Sequence, residues 1–233
     1  MLLRPIISAP RNYLASLVLV VLFAAAPISS AFSQTSAVTP PETAAVARER
    51  ATITVDGFRS AKFGMDEKAI RAAIEKDFGA KEAKIQVGEN AVERTQILTI
   101  EVPDLILDGG VAQVSYVFGY ETKKLIQVGA TWSAKTDPKI TPKMLYDNGE
   151  VLRSHFVAEA YQPDSVKTNV ALPNGILMFR GADSENHATL LLVQGGYATD
   201  AEGRKTLTPA SLDLLYSADP NNPDIFTLPE GAF

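Results

Sequence analysis

Histidine is the side chain that most often acts as a general base near neutral pH, and this chain has two, His155 and His187. His187 follows Asp183 and Glu185 in a polar stretch, a grouping that could bind a metal weakly or assist hydrolysis. His155 precedes Phe156 in a segment with helical spacing. The simpler interpretation is a solvated turn for His187 and an edge or core histidine for His155.

Two pairs of carboxylates, Asp104 with Asp108 and Glu89 with Glu93, are close enough in sequence to be considered for acid–base chemistry. No pattern positions either pair, so solvated loop acids are the simpler interpretation. The sequence contains no serine-hydrolase, phosphate-loop, dinucleotide or zinc-protease motif, and no cysteine. It therefore assigns no catalytic residue, no cofactor and no metal ligand, and it favours a protein that is not an enzyme.

The C-terminal tail has part of the spacing of a calcium-binding loop. Asp219, Asn221 and Glu230 occupy positions 1, 3 and 12 of such a loop. Pro223 and Asp224 stand where the loop needs a ligand and a glycine. A turn rich in proline and asparagine explains these residues more simply.

Aromatic side chains concentrate in one predicted hairpin. Tyr116, Phe118 and Trp132, with Tyr120 nearby, could line an apolar pocket between a sheet and its helices. Such a pocket would suit a carrier of a small apolar ligand. The alternative is that these residues form an ordinary core that faces the helices.

The N-terminus has the pattern of a secretory signal peptide, residues 1–33. An apolar run from Leu14 to Ala26 is followed by small residues, with cleavage expected after Ala31 or Ser33. The run is too short to span the roughly 30 Å hydrocarbon core of a bilayer as a helix, so we expect no stable membrane anchor after cleavage. The following residues, 34–51, are small and polar and predict a flexible leader. The chain is therefore expected to be periplasmic or secreted.

Charge excludes one class of partner. Cleavage removes two of the 22 basic residues and none of the 27 acidic ones, which leaves 20 against 27 and a net charge of −7. A basic surface for nucleic acid is not expected on such a chain. Because there is no cysteine, stability in an oxidising compartment has to come from packing rather than from disulfides.

Two helices are predicted. Asp66 is suited to cap a helix over residues 67–78, which ends at Gly79. Thr141 followed by proline starts a second helix over residues 142–159, in which Gly149 is unfavourable by about 1 kcal/mol.

Between the helices the sequence alternates as strands do. Residues 53–63 predict a first strand, and a meander ends with a hairpin of residues 112–118 and 125–132. Matching the apolar faces of this hairpin, with Ile126 on the buried side, predicts a loop of three or five residues around Thr122. A second meander covers residues 165–194, and a charged connection, residues 195–205, leads to a last strand.

These elements predict a single α+β domain over residues 52–218. We expect an antiparallel sheet of about seven or eight strands, in two successive meanders, with both helices packed on one face. The domain divides into possible halves, 52–134 and 139–218, each with one helix and one meander. A proline-rich tail, residues 219–233, follows on the surface.

The segments FGMDEKAIRAAI and YVFGYETKKLIQV resemble the helix-plus-meander modules of small bacterial envelope proteins of the SmpA/OmlA (BamE-like) family. The resemblance covers residues 57–132 and implies a module that binds other envelope proteins. The chain lacks the family's usual lipid-bearing cysteine, and it adds a second helix-plus-meander. That doubling resembles the tandem helix-on-sheet architecture of secreted β-lactamase inhibitor proteins.

The sequence thus favours an exported, non-enzymatic binding or accessory protein that contacts another envelope protein. A carrier of a small apolar ligand is the alternative. A hydrolase that uses His155 or His187 with neighbouring acids is the third hypothesis. The partner, the ligand and the oligomeric state do not follow from the sequence.

Overall fold

The computed structural model describes residues 52–81, 84–199, 201–229 and 231–232. The predicted signal peptide, residues 1–33, and leader, residues 34–51, lie outside the described residues. The helices are α1 (Glu67–Phe78) and α2 (Pro142–Ala158), and a short 3₁₀ helix covers Pro163–Ser165. The strands are β1 (Gly57–Phe58), β2 (Ala61–Lys62), β3 (Gln86–Asn90), β4 (Thr95–Val102), β5 (Ala112–Phe118), β6 (Leu125–Ser133), β7 (Lys167–Leu172), β8 (Gly175–Ala182), β9 (Ala188–Thr199) and β10 (Lys205–Ser217).

Eight of these strands form one antiparallel sheet in the order β3-β4-β5-β6-β10-β9-β8-β7. Strands β3 to β6 are one meander and β7 to β10 are the other. The meanders meet where β6 pairs with β10, from Ser211 opposite Ser133 to Ser217 opposite Gln127, and this pairing is termed the seam. The predicted α+β fold with two successive meanders is confirmed.

One hydrophobic core lies between the helices and one face of the sheet. Ile70 and Ile74 of α1 and Leu145 and Phe156 of α2 are each at most 4% exposed. Their sheet partners include Leu98, Ile100, Val114, Tyr116, Phe118, Trp132, Leu191, Val193, Leu212 and Leu214. Since both helices enter the same cluster, they lie on one face of the sheet, as predicted.

Side-chain caps fix where the helices begin. Asp66 Oδ1 accepts a hydrogen bond from the Ala69 N–H at 3.0 Å, and Thr141 Oγ1 accepts one from the Met144 N–H at 3.2 Å. Each cap satisfies a backbone donor that the first turn leaves free. Neither α-helix among the described residues is long and apolar enough to cross a membrane.

Two predicted elements are wrong. Residues 53–63 do not form one strand, because the N–H groups of Ile53 and Val55 donate to Ala160 O and to Asp183 Oδ2 rather than to a neighbouring strand. Residues 195–205 are not a simple connection. Instead β9 and β10 continue as a two-stranded arm, with Thr199 opposite Lys205, beyond the end of the sheet.

The β5–β6 loop also differs from its prediction. It spans residues 119–124, longer than the expected three or five. A bulge at Val117 and Phe118 sets Phe118 opposite Leu125, so that Leu125 rather than Ile126 is buried. The bulge compensates for the longer loop, because the remaining residues of β6 still reach the core: Val128, Ala130 and Trp132.

Gly149 lies where α2 comes closest to the sheet. A Cβ atom at this position would lie 2.5 Å from Met178 Sδ and 3.3 Å from Leu212 Cδ1. The glycine lowers helix propensity by about 1 kcal/mol. That loss is offset because its missing side chain lets α2 lie directly on β8 and β10.

We predict that Gly149→Val lowers the free energy of unfolding by about 2–3 kcal/mol, because it overpacks this contact. Ser154→Val, at an exposed position of the same helix, is the matched control and should change it by less than about 0.5 kcal/mol. Urea denaturation of both variants measures the difference. A loss no larger than that of the control would show that the contact with the sheet accommodates the larger side chain.

Candidate functional site

The three aromatic side chains predicted to line a pocket are enclosed in the core. Tyr116, Phe118 and Trp132 are exposed by 0%, 1% and 0%. The Tyr116 hydroxyl and the Trp132 Nε1 have no hydrogen-bond partner among the described residues. Burial, together with the negative charge of Asp77, raises the pKa of the Tyr116 phenol. A ligand-binding role for these residues stays a prediction.

The two histidines lie in different surroundings. His155 is on the exposed side of α2, with its Nδ1 3.9 Å from Glu159 Oε1. His187 Nδ1 is 3.4 Å from Asp183 Oδ2, and its Nε2 is 3.9 Å from Glu185 Oε2. The structure therefore brings His187, Asp183 and Glu185 together. Catalysis by either histidine stays a prediction.

Asp183 beside His187 has a structural role. Its side chain is 2% exposed and accepts hydrogen bonds from the backbone N–H groups of Val55, Glu185 and His187, at 2.9, 2.9 and 3.0 Å. These bonds close the β8–β9 turn and hold the N-terminal segment against it. The carboxylate is thus committed to backbone N–H groups of the turn and of the N-terminal segment.

The other predicted carboxylates occupy turns. Asp104 and Asp108 follow β4 with φ angles of 51° and 58°. Glu93 is buried at the β3–β4 turn, where burial raises its pKa, whereas Glu89 is exposed. Within the described ranges, no three His, Asp or Glu side chains are grouped so that they could hold a metal ion.

The tail begins with a turn. Asp219 Oδ1 accepts hydrogen bonds from the N–H groups of Asn221 and Asn222 at 3.1 and 2.9 Å. The third residue of the proposed calcium spacing, Glu230, lies outside the described residues. The geometry around Asp219 is that of an Asx turn.

Asp224 fastens the tail to the β5–β6 loop. Its carboxylate accepts from the N–H groups of Glu121 and Thr122 at 2.9 and 3.0 Å and from the Thr122 hydroxyl at 2.6 Å. Partial burial raises its pKa, but these hydrogen bonds outweigh that effect and hold the pKa below its usual range. Two residues later, the Phe226 ring lies under the Arg94 guanidinium, with Arg94 Cζ 3.7 Å from the ring centroid.

The sheet face opposite the helices is covered by neither α-helix and has few charged side chains at its centre. Both α-helices lie on the core side, so this face carries neither of them. Its central positions on β5, β6, β10 and β9 are termed the open face: Gln113, Ser115, Val117, Gln127, Gly129, Thr131, Ser133, Ser211, Asp213, Leu215, Ser217, Leu190, Leu192 and Gln194. Three of them, Val117, Leu192 and Ser217, are buried by their neighbours. Asp213 is the one ionisable residue of the open face.

Asp213 lies on the seam, where its half-buried carboxylate accepts hydrogen bonds from three side chains. Thr131 donates its hydroxyl to Oδ1 at 2.8 Å, while Gln194 Nε2 and the Ser211 hydroxyl donate to Oδ2 at 2.9 and 2.8 Å. Burial raises the pKa of this carboxyl, and the three hydrogen bonds lower it only in part. No lysine or arginine of the described residues forms an ion pair with it.

Sequence reasoning did not single out Asp213. Its donors Thr131 and Gln194 are 82 and 19 residues away along the chain, so their meeting depends on the strand order. One feature of the sequence did indicate an unusual face around Asp213. The outward positions of two predicted strands, around Ser115 and Thr131, contain no charged residue.

No protein-family model, no curated protein and no solved structure matches this chain. The resemblance to envelope modules of the SmpA/OmlA type therefore stays a prediction.

Because the Tyr116 hydroxyl has no partner, we predict that Tyr116→Phe leaves the free energy of unfolding unchanged or raises it by about 1 kcal/mol. Tyr161→Phe is the matched control, since that hydroxyl donates to Thr189 Oγ1 at 3.0 Å and its loss should cost about 1 kcal/mol. Chemical denaturation compares them. A larger loss in the Tyr116 variant than in the control would show that the Tyr116 hydroxyl is bound.

The raised pKa of Asp213 predicts how stability depends on pH. In the window above the ordinary aspartate value of about 3.9, the folded state holds this proton more tightly than the unfolded state, so stability falls as pH rises. Asp213→Asn removes that dependence, and Gln194 can accept from the new amide by turning its own. We expect the variant to be more stable than the parent at about pH 7 and to lose this advantage at about pH 3. Thermal unfolding at both pH values checks this, and a constant difference would contradict it.

Proposed function

We propose that the protein is an exported, non-enzymatic binding protein that contacts another protein of the cell envelope through its open face. One observation supports this most directly: the open face carries a single ionisable residue, Asp213, although 21% of the chain is charged. Charged residues are depleted at the centres of protein interfaces. Strand positions that face solvent are normally polar, and nine of the fourteen open-face positions are polar, so the scarcity of charge is the feature that distinguishes this face.

The size and surface of the sheet suit such a contact. With strands about 4.8 Å apart and about 3.3 Å per residue, the four strands of the open face, at about seven residues each, offer on the order of 450 Å². That is roughly half the area that each partner contributes to a standard interface, so a partner would also contact the neighbouring strands β4 and β8. Half-buried Leu215 is paired with Gly129, where a Cβ atom would meet nothing closer than 3.9 Å, and half-buried Leu190 is paired with Leu215 on its other side. The face therefore combines apolar surface with room for a partner's side chain.

The expected location of the protein in the cell envelope is inferred from the sequence. The N-terminal residues 1–33 have the order of a secretory signal, and a cysteine-free chain is compatible with an oxidising compartment. The net charge of −7 after cleavage favours a protein partner over nucleic acid. We therefore expect the partner in the cell envelope.

The test is affinity capture from an envelope extract after cross-linking, with a tag placed within residues 34–51. Gly129→Arg should reduce retention of the partner by roughly tenfold, because a long charged side chain in the centre of the face removes at least about 1.4 kcal/mol of binding. Ser154→Arg, on the exposed side of α2, is the matched control and should retain the partner. The same mass spectra report the mature N-terminus, expected at Phe32 or Gln34.

Two results would count against the proposal. Recovery of nothing beyond background in several growth conditions would remove the binding function. Equal loss, or equal retention, in Gly129→Arg and Ser154→Arg would show that the open face is not the contact surface. Circular dichroism of both variants establishes that each is folded.

A further inference from the structure

We propose that Asp213 is the recognition point of the open face and that it binds the ammonium group of one lysine presented by the partner protein. This inference rests on the proposed function, because it names the chemistry of the partner at the same face. Four features of Asp213 support it: its hydrogen-bond donors are all side chains, its charge has no cation of the described chain beside it, Oδ1 has one free acceptor position, and Gly129 leaves space nearby.

The hydrogen bonds of Asp213 do not hold the backbone together. Asp183 accepts three backbone N–H groups, and Asp137 accepts those of Val111 and Lys139. Removing such acceptors leaves backbone donors unsatisfied. Asp213, in contrast, accepts only from side chains, and hydroxyl and amide groups can turn to other partners. The fold therefore does not require a negative charge at this position.

That charge lacks compensation within the described chain. A half-buried carboxylate with neutral donors and no cation is less stable than one that is ion-paired. Groups that cost stability in the folded protein are often found at functional sites, where activity needs them. A cationic group on the partner would supply the missing charge at the centre of a face that is otherwise neutral.

The acceptor geometry selects the kind of cation. A carboxylate offers about four acceptor positions. Oδ2 already accepts from Gln194 and Ser211, while Oδ1 accepts only from Thr131, so one position at Oδ1 is left. A guanidinium binds best as a fork that uses both oxygens, whereas an ammonium is a compact point charge. Lysine therefore fits this site better than arginine.

Gly129 provides the space for the lysine stem. It is paired with Leu215 across the seam, and it precedes Thr131, the residue opposite Asp213, by one position of the same face. A Cβ atom at Gly129 would meet nothing closer than 3.9 Å. Lysine stems commonly lie along apolar surface while the charged group reaches a polar partner. Here the stem would lie over Gly129 against Leu215, with its ammonium at Oδ1.

The probe is a capped heptapeptide with alternating leucine and threonine and a central lysine, prepared also with arginine or with uncharged norleucine in its place. It is titrated into the ¹⁵N-labelled chain, residues 34–233, and followed by NMR. We expect the lysine peptide to shift the amides of Gly129, Thr131 and Leu215, and the norleucine peptide to bind at least about tenfold more weakly, as for a lost charged hydrogen bond. The arginine peptide, which keeps the charge but not the compact ammonium, should bind more weakly than the lysine peptide.

Three variants locate the contact. Asp213→Asn should weaken the lysine peptide at least about tenfold. Gly129→Val, which occupies the space for the stem without touching the carboxylate, should do the same. Glu101→Gln is the matched control, because it removes one exposed carboxylate from the same row of the sheet, three strands from Asp213, and it should leave binding unchanged.

The outcomes separate this inference from the proposed function. Equal binding of the norleucine peptide, equal or tighter binding of the arginine peptide, or no shift at the three amides would each overturn the lysine site. Envelope capture that survives Asp213→Asn but not Gly129→Arg would also overturn it and leave the binding face in place. Peptide binding at Asp213 without any captured partner would leave the lysine site standing and remove the proposed function.

Discussion

The structure depends on the seam, the antiparallel pairing of β6 with β10. Each meander alone would expose its last strand as an open edge, and the seam satisfies both edges with each other. It also joins the two halves of the core, because Trp132 lies opposite Leu212 and Ala130 opposite Leu214. The segments before the first helix and after the last strand add contacts between the two halves of the domain, because each binds to the meander that is more distant in sequence. Val55, before the first helix, is bound by the second meander through Asp183, and Asp224, after the last strand, binds the first.

Local signals were sufficient for most of the fold. Asp66 and Thr141 each place a polar acceptor at the start of an apolar stripe, and the caps form as the sequence indicates. Strand alternation predicted a sheet of about seven or eight strands with their inward faces for the same reason, since burial of one face requires a period of two. The errors arise where tertiary contacts decide. Residues 53–56 alternate like a strand but donate to a turn and a helix end. In the arm beyond Gln194, β9 and β10 pair with each other, and the Tyr197 hydroxyl donates to Gly175 O.

The site around Asp213 could not be predicted from local sequence patterns. The sequence allows Tyr116 and Trp132 either to line a pocket or to form an ordinary core, and both are part of the core. Asp213 appeared as the polar half of an alternating strand, which is what any solvated strand shows. Its significance depends on which strand lies beside β10. That pairing joins the last strands of two meanders and is not fixed by any turn, so neither residue spacing nor hydrophobic pattern reports it.

A single carboxylate on a neutral face contributes more to the choice of partner than to affinity. A partner with apolar side chains alone would bury the charge of Asp213 without compensation, and an acidic partner would be repelled, each at a cost of kilocalories per mole. A partner with a suitably placed cation avoids both penalties. The organising bonds from Thr131, Ser211 and Gln194 hold the carboxylate in place before the encounter, which reduces the entropy lost on binding. The seam that completes the core thus also creates, on the opposite face, a position where strands from both meanders hold one charge.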